Sequence, residues 1–209
     1  MLDKELLEGL RQQTTLESQH LSSSVTLLLT SLNQANPDFY TYRSIIKRFN
    51  LPENERFDIF THSDLNFVET MGNHFPSNPL LQPTLERTAA IHTTIALLNN
   101  LFLSANDKIN FSWIEIETLL TQSTKWDGVG FRAGSDQKIG FCLVELNCSE
   151  YLDMKLYFEL VFLVDNHLVR RAHTIVKLPT TPSQLKDFFN QTESLFTWKK
   201  SLIDSINNA

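Results

Sequence analysis

The chain has 209 residues, of which 42% are hydrophobic and 20% are charged, a composition typical of a globular protein with one large domain or two small ones. Its net charge of −6 excludes nucleic-acid binding by bulk positive charge, so such binding would need a local basic patch. Two cysteines six residues apart favour a reducing compartment over a disulfide. The charged N-terminus is unlike a signal peptide, and no apolar run is long enough to span a bilayer. We therefore expect an intracellular protein, cytoplasmic or nuclear, without a membrane partner.

The first third of the chain has the apolar spacing of amphipathic helices. The serine-rich stretch 22–26 leaves open whether the first helix is one or two. Pro37 suits the first turn of the second helix, and Ser63 or Asp64 suits the N-cap of the third. The helices are predicted over residues 3–33, 39–49 and 63–74.

Residues 75–83 contain three prolines and mark the best candidate boundary. They divide the chain into a helical N-terminal region, 1–75, and a second region, 84–209. The second region opens with a predicted helix from Thr84 to Leu103. Its predicted buried stripe is Ala89, Ile91, Ile95, Leu98 and Leu101 or Phe102.

The residues that follow are rich in the β-branched and aromatic types that favour strands. A strand is predicted over 109–116, with 117–120 either continuing it or entering a short helix. Two hairpins follow, one joining 125–132 to 138–147 and one turning at Asp165-Asn166 between 155–164 and 167–178. The alternative for the second hairpin is a single helix over 150–170. A final helix begins at Pro182, so the sequence predicts an α+β fold: a helical region followed by a mixed helix–sheet core with β-hairpins.

The first hairpin carries an acidic pair, Asp127 and Glu145. If the strands pair in the register that sets these residues directly opposite each other, their Cβ atoms lie about 5 Å apart on one sheet face. Two carboxylates that close are tolerated when they share a proton or flank a cation, and such a cation can activate water. In the alternative reading, Asp127 caps a bulge at Gly128 and Glu145 is an exposed strand end. A slip of one residue would put the two on opposite faces.

At these residues the chain resembles the PD-(D/E)xK nuclease-like superfamily, in which one strand carries an Asp and the next carries Glu-x-Lys. The stretches 125–130 (KWDGVG) and 144–147 (VELN) match these two motifs. More narrowly, residues 84–202 resemble a poorly characterised group from fungal genomes. The matching stretches are Leu85-Glu86-Arg87, Trp113 with Glu115 and Glu117, WDGVGF, VELN, LPTTPSQL and FTWKK.

The resemblance implies a Mg²⁺-dependent endonuclease that hydrolyses nucleic-acid phosphodiesters. It implies that Asp127, Glu145 and Glu86 bind the metal, with Glu117 as an alternative to Glu86. Asn147 stands in place of the family's lysine, and a neutral amide supplies no positive charge; Lys155 or Lys125 is the available substitute.

The chain departs from the family in a second way. The family order has a full helix after the Glu-x-Lys strand, whereas seven residues, 148–154, separate that strand from the next under the hairpin interpretation. These departures favour an alternative function, a non-catalytic protein-interaction module on the same fold. In that reading the N-terminal helices bind a protein partner.

A cluster of basic residues lies on the last predicted strand. Arg170, Arg171, His173 and Lys177 are candidates for phosphate contacts, with Arg171, His173 and Lys177 expected on one face. The alternative is an ordinary solvated edge strand, kept charged against aggregation.

Overall fold

A computed structural model describes residues 8–9, 11–12, 14–77, 85–117, 125–134, 140–144, 155–164 and 167–208. Helices and antiparallel sheets make up these ranges, which confirms the α+β class. The helices are α1 Ser23–Gln34, α2 Phe39–Arg48, α3 Ser63–His74, α4 Glu86–Ala90, α5 Ala96–Leu101 and α6 Pro182–Asn208. A π-helical turn, Ile91–Ile95, joins α4 to α5, and 3-10 turns span Phe75–Ser77 and Leu103–Ala105. The strands are β1 Ile109–Glu117, β2 Lys125–Arg132, β3 Gly140–Val144, β4 Lys155–Val164 and β5 His167–Lys177.

Side-chain caps fix where the N-terminal helices begin. The Ser22 hydroxyl accepts a hydrogen bond from the Val25 N–H, so α1 starts there. Residues 15–22 are not helical, so the predicted stretch 3–33 is not one continuous helix. The Asp38 carboxylate caps α2 by accepting from the Thr41 N–H at 2.7 Å. Pro37 therefore lies before the cap and not in the first turn as predicted.

The prediction of Ser63 or Asp64 as the N-cap of α3 is also wrong. His62 is the N-cap residue, and its side chain makes no capping hydrogen bond. Its ring nitrogens instead bond to Asp58 and Glu55 in the preceding loop.

The predicted buried stripe of the helix after the boundary fails at Ile91, whose side chain is 52% exposed. The cause is the π turn, which has an i to i+5 hydrogen-bond pattern and so rotates the following residues relative to an ideal α-helix. Thr93 and Thr94 are buried in this turn, and the Thr93 hydroxyl donates to the Ala89 carbonyl at 2.7 Å. Beyond the turn, Leu98 and Leu101 are buried as predicted.

Helix α6 lies at the centre of the hydrophobic core. Its buried aromatic residues pack edge-on against the N-terminal helices, as between Phe196 and Phe67 at 5.6 Å and between Phe188 and Phe75 at 5.0 Å. Trp198 of the same helix meets Phe158 of β4 at 4.9 Å. The core cluster therefore draws side chains from both predicted regions of the chain.

The strands form two antiparallel units. β1, β2 and β3 pair in that order in one sheet, and β4 pairs with β5 in a second. The second predicted hairpin is confirmed, and the alternative of one helix over 150–170 is wrong because Lys155–Val164 is a strand. Residues 148–154, where the order of elements in the family has a full helix, lie outside the described ranges. None of the described helices is long and apolar enough to cross a membrane.

Candidate functional site

The first hairpin pairs in the register that the acidic-pair hypothesis needs. Gly128 lies opposite Val144, Val129 opposite Leu143 and Gly130 opposite Cys142. Glu145 and Asn147 lie outside the described residues, so their pairing and their roles stay predictions.

Asp127 lies on the face of β2 that points away from the main core. Strand residues alternate, so Gly128 and Gly130 share the core-facing side, where Cys142 and Val144 of β3 are buried. Asp127 shares the other side with Val129, and it is half-buried there. Val129 is fully buried on this side, and Asp127 is only partly exposed to solvent.

Packing explains the two glycines of the WDGVGF motif. A Cβ on Gly128 would lie 2.4 Å from two ring carbons of Trp113, and a Cβ on Gly130 would lie 2.8 Å from Ile109 Cδ1. The Trp113 ring stacks on Phe111 at 5.5 Å with an interplanar angle of 14°. The glycines thus let these aromatic rings of β1 lie across β2, a role that the motif's spacing did not reveal.

The acidic residues that precede the hairpin, Glu115 and Glu117, lie at or just after a bulge in β1. The pairing shifts between Trp113 and Ile116, and Glu115 adopts a left-handed φ of 54°. Glu117 is exposed and lies opposite Lys125. The Lys125 ammonium lies 3.6 Å from a Glu115 carboxylate oxygen, so this candidate substitute for the family's lysine is in an ion pair.

The other predicted site residues are dispersed. Lys155, the second candidate substitute, is exposed at the start of β4 and pairs across the hairpin with Lys177. Glu86 begins α4, and its side chain is not among those described. Within the described ranges, no three His, Cys, Asp or Glu side chains are grouped to hold a metal ion. Of the three residues that the resemblance implies as ligands, Asp127 alone has a described side chain, and the alternative ligand Glu117 is exposed opposite Lys125.

Cys142 is not a candidate ligand or nucleophile. It is buried on the core-facing side of β3, and burial raises the pKa of its thiol to about 12. Metal binding and nucleophilic attack need the thiolate, which is not formed near neutral pH at that pKa.

The predicted basic face of β5 is wrong, because a bulge at His173 reverses the side-chain alternation. Phe158 pairs with Thr174, but Glu159 pairs with Ala172. Arg171 and Lys177 therefore point to opposite faces of the hairpin.

The arginines of β5 have partners within the protein. The Arg171 guanidinium donates to the Arg11 carbonyl at 2.7 Å and to the hydroxyls of Thr14 and Thr15. Arg170 forms an ion pair with Glu159. Arg171 thus ties the N-terminal segment to β5, and the structure does not bring Arg170, Arg171 and Lys177 together as one phosphate-binding surface.

Compared with protein-family models, characterised proteins and solved structures, the chain has no match. The resemblance to the nuclease-like superfamily therefore stays a prediction carried by the motifs themselves.

Sequence reasoning missed an exposed apolar loop before α3, here called the 57–60 loop. Phe57, Ile59 and Phe60 are 53%, 45% and 75% exposed. The Asp58 carboxylate accepts from the backbone N–H groups of Phe60 and Thr61 at 3.0 and 2.9 Å, which holds the loop in a tight turn.

Buried His62 contacts residues on the N-terminal side of this loop and within it. Its Nε2 lies 2.5 Å from a Glu55 carboxylate oxygen, and Phe57 stacks on its ring at 5.4 Å. The Ser24 hydroxyl donates to the other Glu55 oxygen at 2.8 Å. The hydrogen bond with Glu55 raises the pKa of His62, and the same bond lowers the pKa of Glu55. The loop is therefore a fixed apolar surface.

Proposed function

We propose that the chain is a nuclease-like domain that binds Mg²⁺ through Asp127 and Glu145 and hydrolyses nucleic-acid phosphodiesters. The observation that carries the proposal is the register of β2 and β3, in which Gly128 lies opposite Val144. If that register continues by one residue, Asp127 lies opposite Glu145. Cross-strand neighbours have Cβ atoms about 5 Å apart, a separation at which two carboxylates can share one divalent cation.

The surroundings of Asp127 support the same proposal. A half-buried carboxylate beside the buried Val129 has less water to screen it from a second carboxylate, so a cation between them relieves the repulsion. Glu86 is the proposed third ligand, from the start of α4. Bound Mg²⁺ would polarise a phosphodiester oxygen and lower the pKa of a bound water. Asn147 brings no positive charge, so we propose that the Lys155 ammonium is the group that neutralises the phosphate.

Cleavage of end-labelled single- and double-stranded nucleic acid with Mg²⁺, and with EDTA as a blank, tests this proposal. We expect Mg²⁺-dependent cleavage that Asp127→Asn reduces at least about 100-fold, since a metal ligand supplies several kcal/mol of transition-state stabilisation. The matched control is Asp107→Asn, which neutralises an exposed Asp in the turn before β1. Cleavage that is absent, or equally fast in wild type and Asp127→Asn, contradicts the proposal.

A second candidate function is a non-catalytic protein-interaction module, and the 57–60 loop favours it. Three large apolar side chains stand exposed on a loop whose backbone is fixed by hydrogen bonds, and such rigid exposed apolar groups are typical of protein contacts. This candidate predicts that a photo-cross-linking residue at position 60 captures one partner protein. The same residue at position 91, where Ile91 is 52% exposed, serves as control. Equal capture at the two positions, or none, contradicts it.

A further inference from the structure

Helix α2 presents a positively charged and aromatic surface in an acidic protein. Two rows of side chains lie on its exposed side, one with Tyr40, Ser44 and Arg48 at i, i+4 and i+8, and one with Arg43 and Lys47 at i and i+4. Together these five residues, here called the basic face, line a shallow cavity of about 260 Å³. Helix α2 contains no acidic residue, so the charge of the face is not neutralised within the helix.

The cations of the basic face are not accounted for by ion pairs. In the part of the chain that the structure describes, no carboxylate lies within ion-pair distance of Arg43, Lys47 or Arg48. Lys47 and Arg48 lie in the last turn, where they favourably oppose the helix dipole. Arg43 lies outside that turn, and its i, i+4 spacing to Lys47 is that of a repulsive like-charge pair. Interaction with the helix dipole therefore accounts for Lys47 and Arg48 and leaves Arg43 without a structural role.

The opposite side of α2 is firmly packed, so the helix that carries the basic face is held rigidly. Buried Tyr42 packs edge-on against Phe189 at 5.7 Å. Ile46 is 6% exposed and approaches α3 so closely that a Cβ on Gly72 would lie 2.4 Å from Ile46 Cδ1. The Asp38 cap fixes the start of the helix. The packed helix thus fixes the backbone that carries the basic face, so binding of a ligand orders the side chains but does not have to order the helix.

We propose that the basic face binds single-stranded nucleic acid, with Tyr40 stacking on a base and with Arg43, Lys47 and Arg48 contacting the phosphates. The inference rests on the proposed nuclease-like function and supplies the local basic surface that a chain of net charge −6 needs for such a substrate. Tyr40 is 79% exposed, and an exposed aromatic ring bordered by cations is the combination that binds single strands without sequence preference. An acidic peptide would use the cations but would leave the ring without a stacking partner.

Fluorescence anisotropy with labelled dT12 in EDTA tests the inference, because binding without metal does not depend on Asp127. Three phosphate contacts predict a slope of about −2 in log K against log salt, so affinity falls about 20-fold between 50 and 200 mM salt. Replacing Arg43, Lys47 and Arg48 together by Gln should bring that slope close to zero. Lys200→Gln is the matched control, since Lys200 is exposed but is paired with Asp204, and it should leave binding unchanged.

Variants of Tyr40 separate stacking from charge. Loss of base stacking in Tyr40→Ala should weaken dT12 binding about 5- to 150-fold, and Tyr40→Phe, which keeps the ring, should bind as wild type. The inference is overturned if dT12 does not bind at 50 mM salt, if the triple variant binds equally well, or if a 12-residue poly-glutamate binds more tightly than dT12. The two proposals fail separately in the wild-type protein. Binding of dT12 in EDTA without any Mg²⁺-dependent cleavage counts against the proposed activity alone, and cleavage without dT12 binding in EDTA counts against the basic face alone.

Discussion

Gly128 offers a sharp test of how the WDGVGF motif is packed. We expect Gly128→Ala to destabilise the protein, because the new methyl group would lie 2.4 Å from Trp113 ring carbons and 3.3 Å from Val144 Cβ. The φ of Gly128 is not positive, so alanine adopts the backbone conformation without strain. Crowding of the Trp113 ring is therefore the source of the expected loss.

The magnitude follows from two opposing effects. Overpacking a core site costs about 1–3 kcal/mol. Against this, replacing glycine at a compatible position stabilises by about 0.4–1 kcal/mol through the unfolded chain. The net loss then lies between about 0 and about 2.6 kcal/mol, and its midpoint of about 1.3 kcal/mol corresponds to a melting temperature lowered by about 3–5 °C in a chain of this size.

Urea unfolding followed by far-UV circular dichroism measures this loss, and two comparisons isolate its cause. Gly9→Ala is the matched control, because a Cβ at Gly9 meets no atom within 4 Å, and it should not destabilise. Trp113→Leu removes the ring atoms in question, so adding Gly128→Ala in that background should cost little. An equal cost in both backgrounds would refute the packing explanation.

Three further predictions concern polar contacts of the fold. The Glu55 hydrogen bond raises the pKa of His62 above its ordinary 6.5, so protonated His62 stabilises the fold below pH 6.5, and this contribution is lost as the pH rises through the raised pKa. As the pH rises from 6.5 through the raised pKa, the urea midpoint of the wild type should therefore fall more than the urea midpoint of His62→Gln. Parallel plots of urea midpoint against pH for the two proteins would count against this linkage. Lys199 is 7% exposed, and its ammonium donates to the Asp64 carboxylate at 3.0 Å. Asp64→Ala should therefore lower the free energy of unfolding by about 3 kcal/mol, because it leaves a buried ammonium unpaired, whereas Lys199→Met should lower it less. The reverse order in urea unfolding would contradict this. Arg171→Met should speed trypsin cleavage in the N-terminal segment that Arg171 holds, and unchanged cleavage would show that the segment is held by other contacts.

Regular elements of this fold are readable from sequence because their signals are local. The period of apolar residues identified α2 and α3, and the turn dipeptide identified the hairpin of β4 and β5. The irregular positions were not readable, because a bulge or a π turn inserts one residue without changing the types of residue around it. The bulge at His173 separates Arg171 from Lys177, and the π turn exposes Ile91.

Part of the candidate site could likewise be predicted from the sequence, and part of it could not. The register of β2 and β3 that sets Asp127 opposite Glu145 was one of several that the sequence left open, and the structure agrees with it from Gly128 to Gly130. The role of Gly128 beside Trp113 depends on an aromatic ring of another strand, which the motif alone does not indicate. The basic face of α2 looks in the sequence like the solvated side of any amphipathic helix. That its cations form no ion pair among the described residues becomes visible only when the surrounding elements are in place.

Calorimetric titration of Mn²⁺ into the metal-free protein tests the central claim most directly. If Asp127 and Glu145 hold one ion together, Asp127→Asn and Glu145→Gln each abolish the binding heat, and the double variant loses nothing more. The Asp107→Asn control should bind as wild type. Absence of binding in wild type, or binding that survives Asp127→Asn, would contradict the assignment of a metal-dependent function to this hairpin.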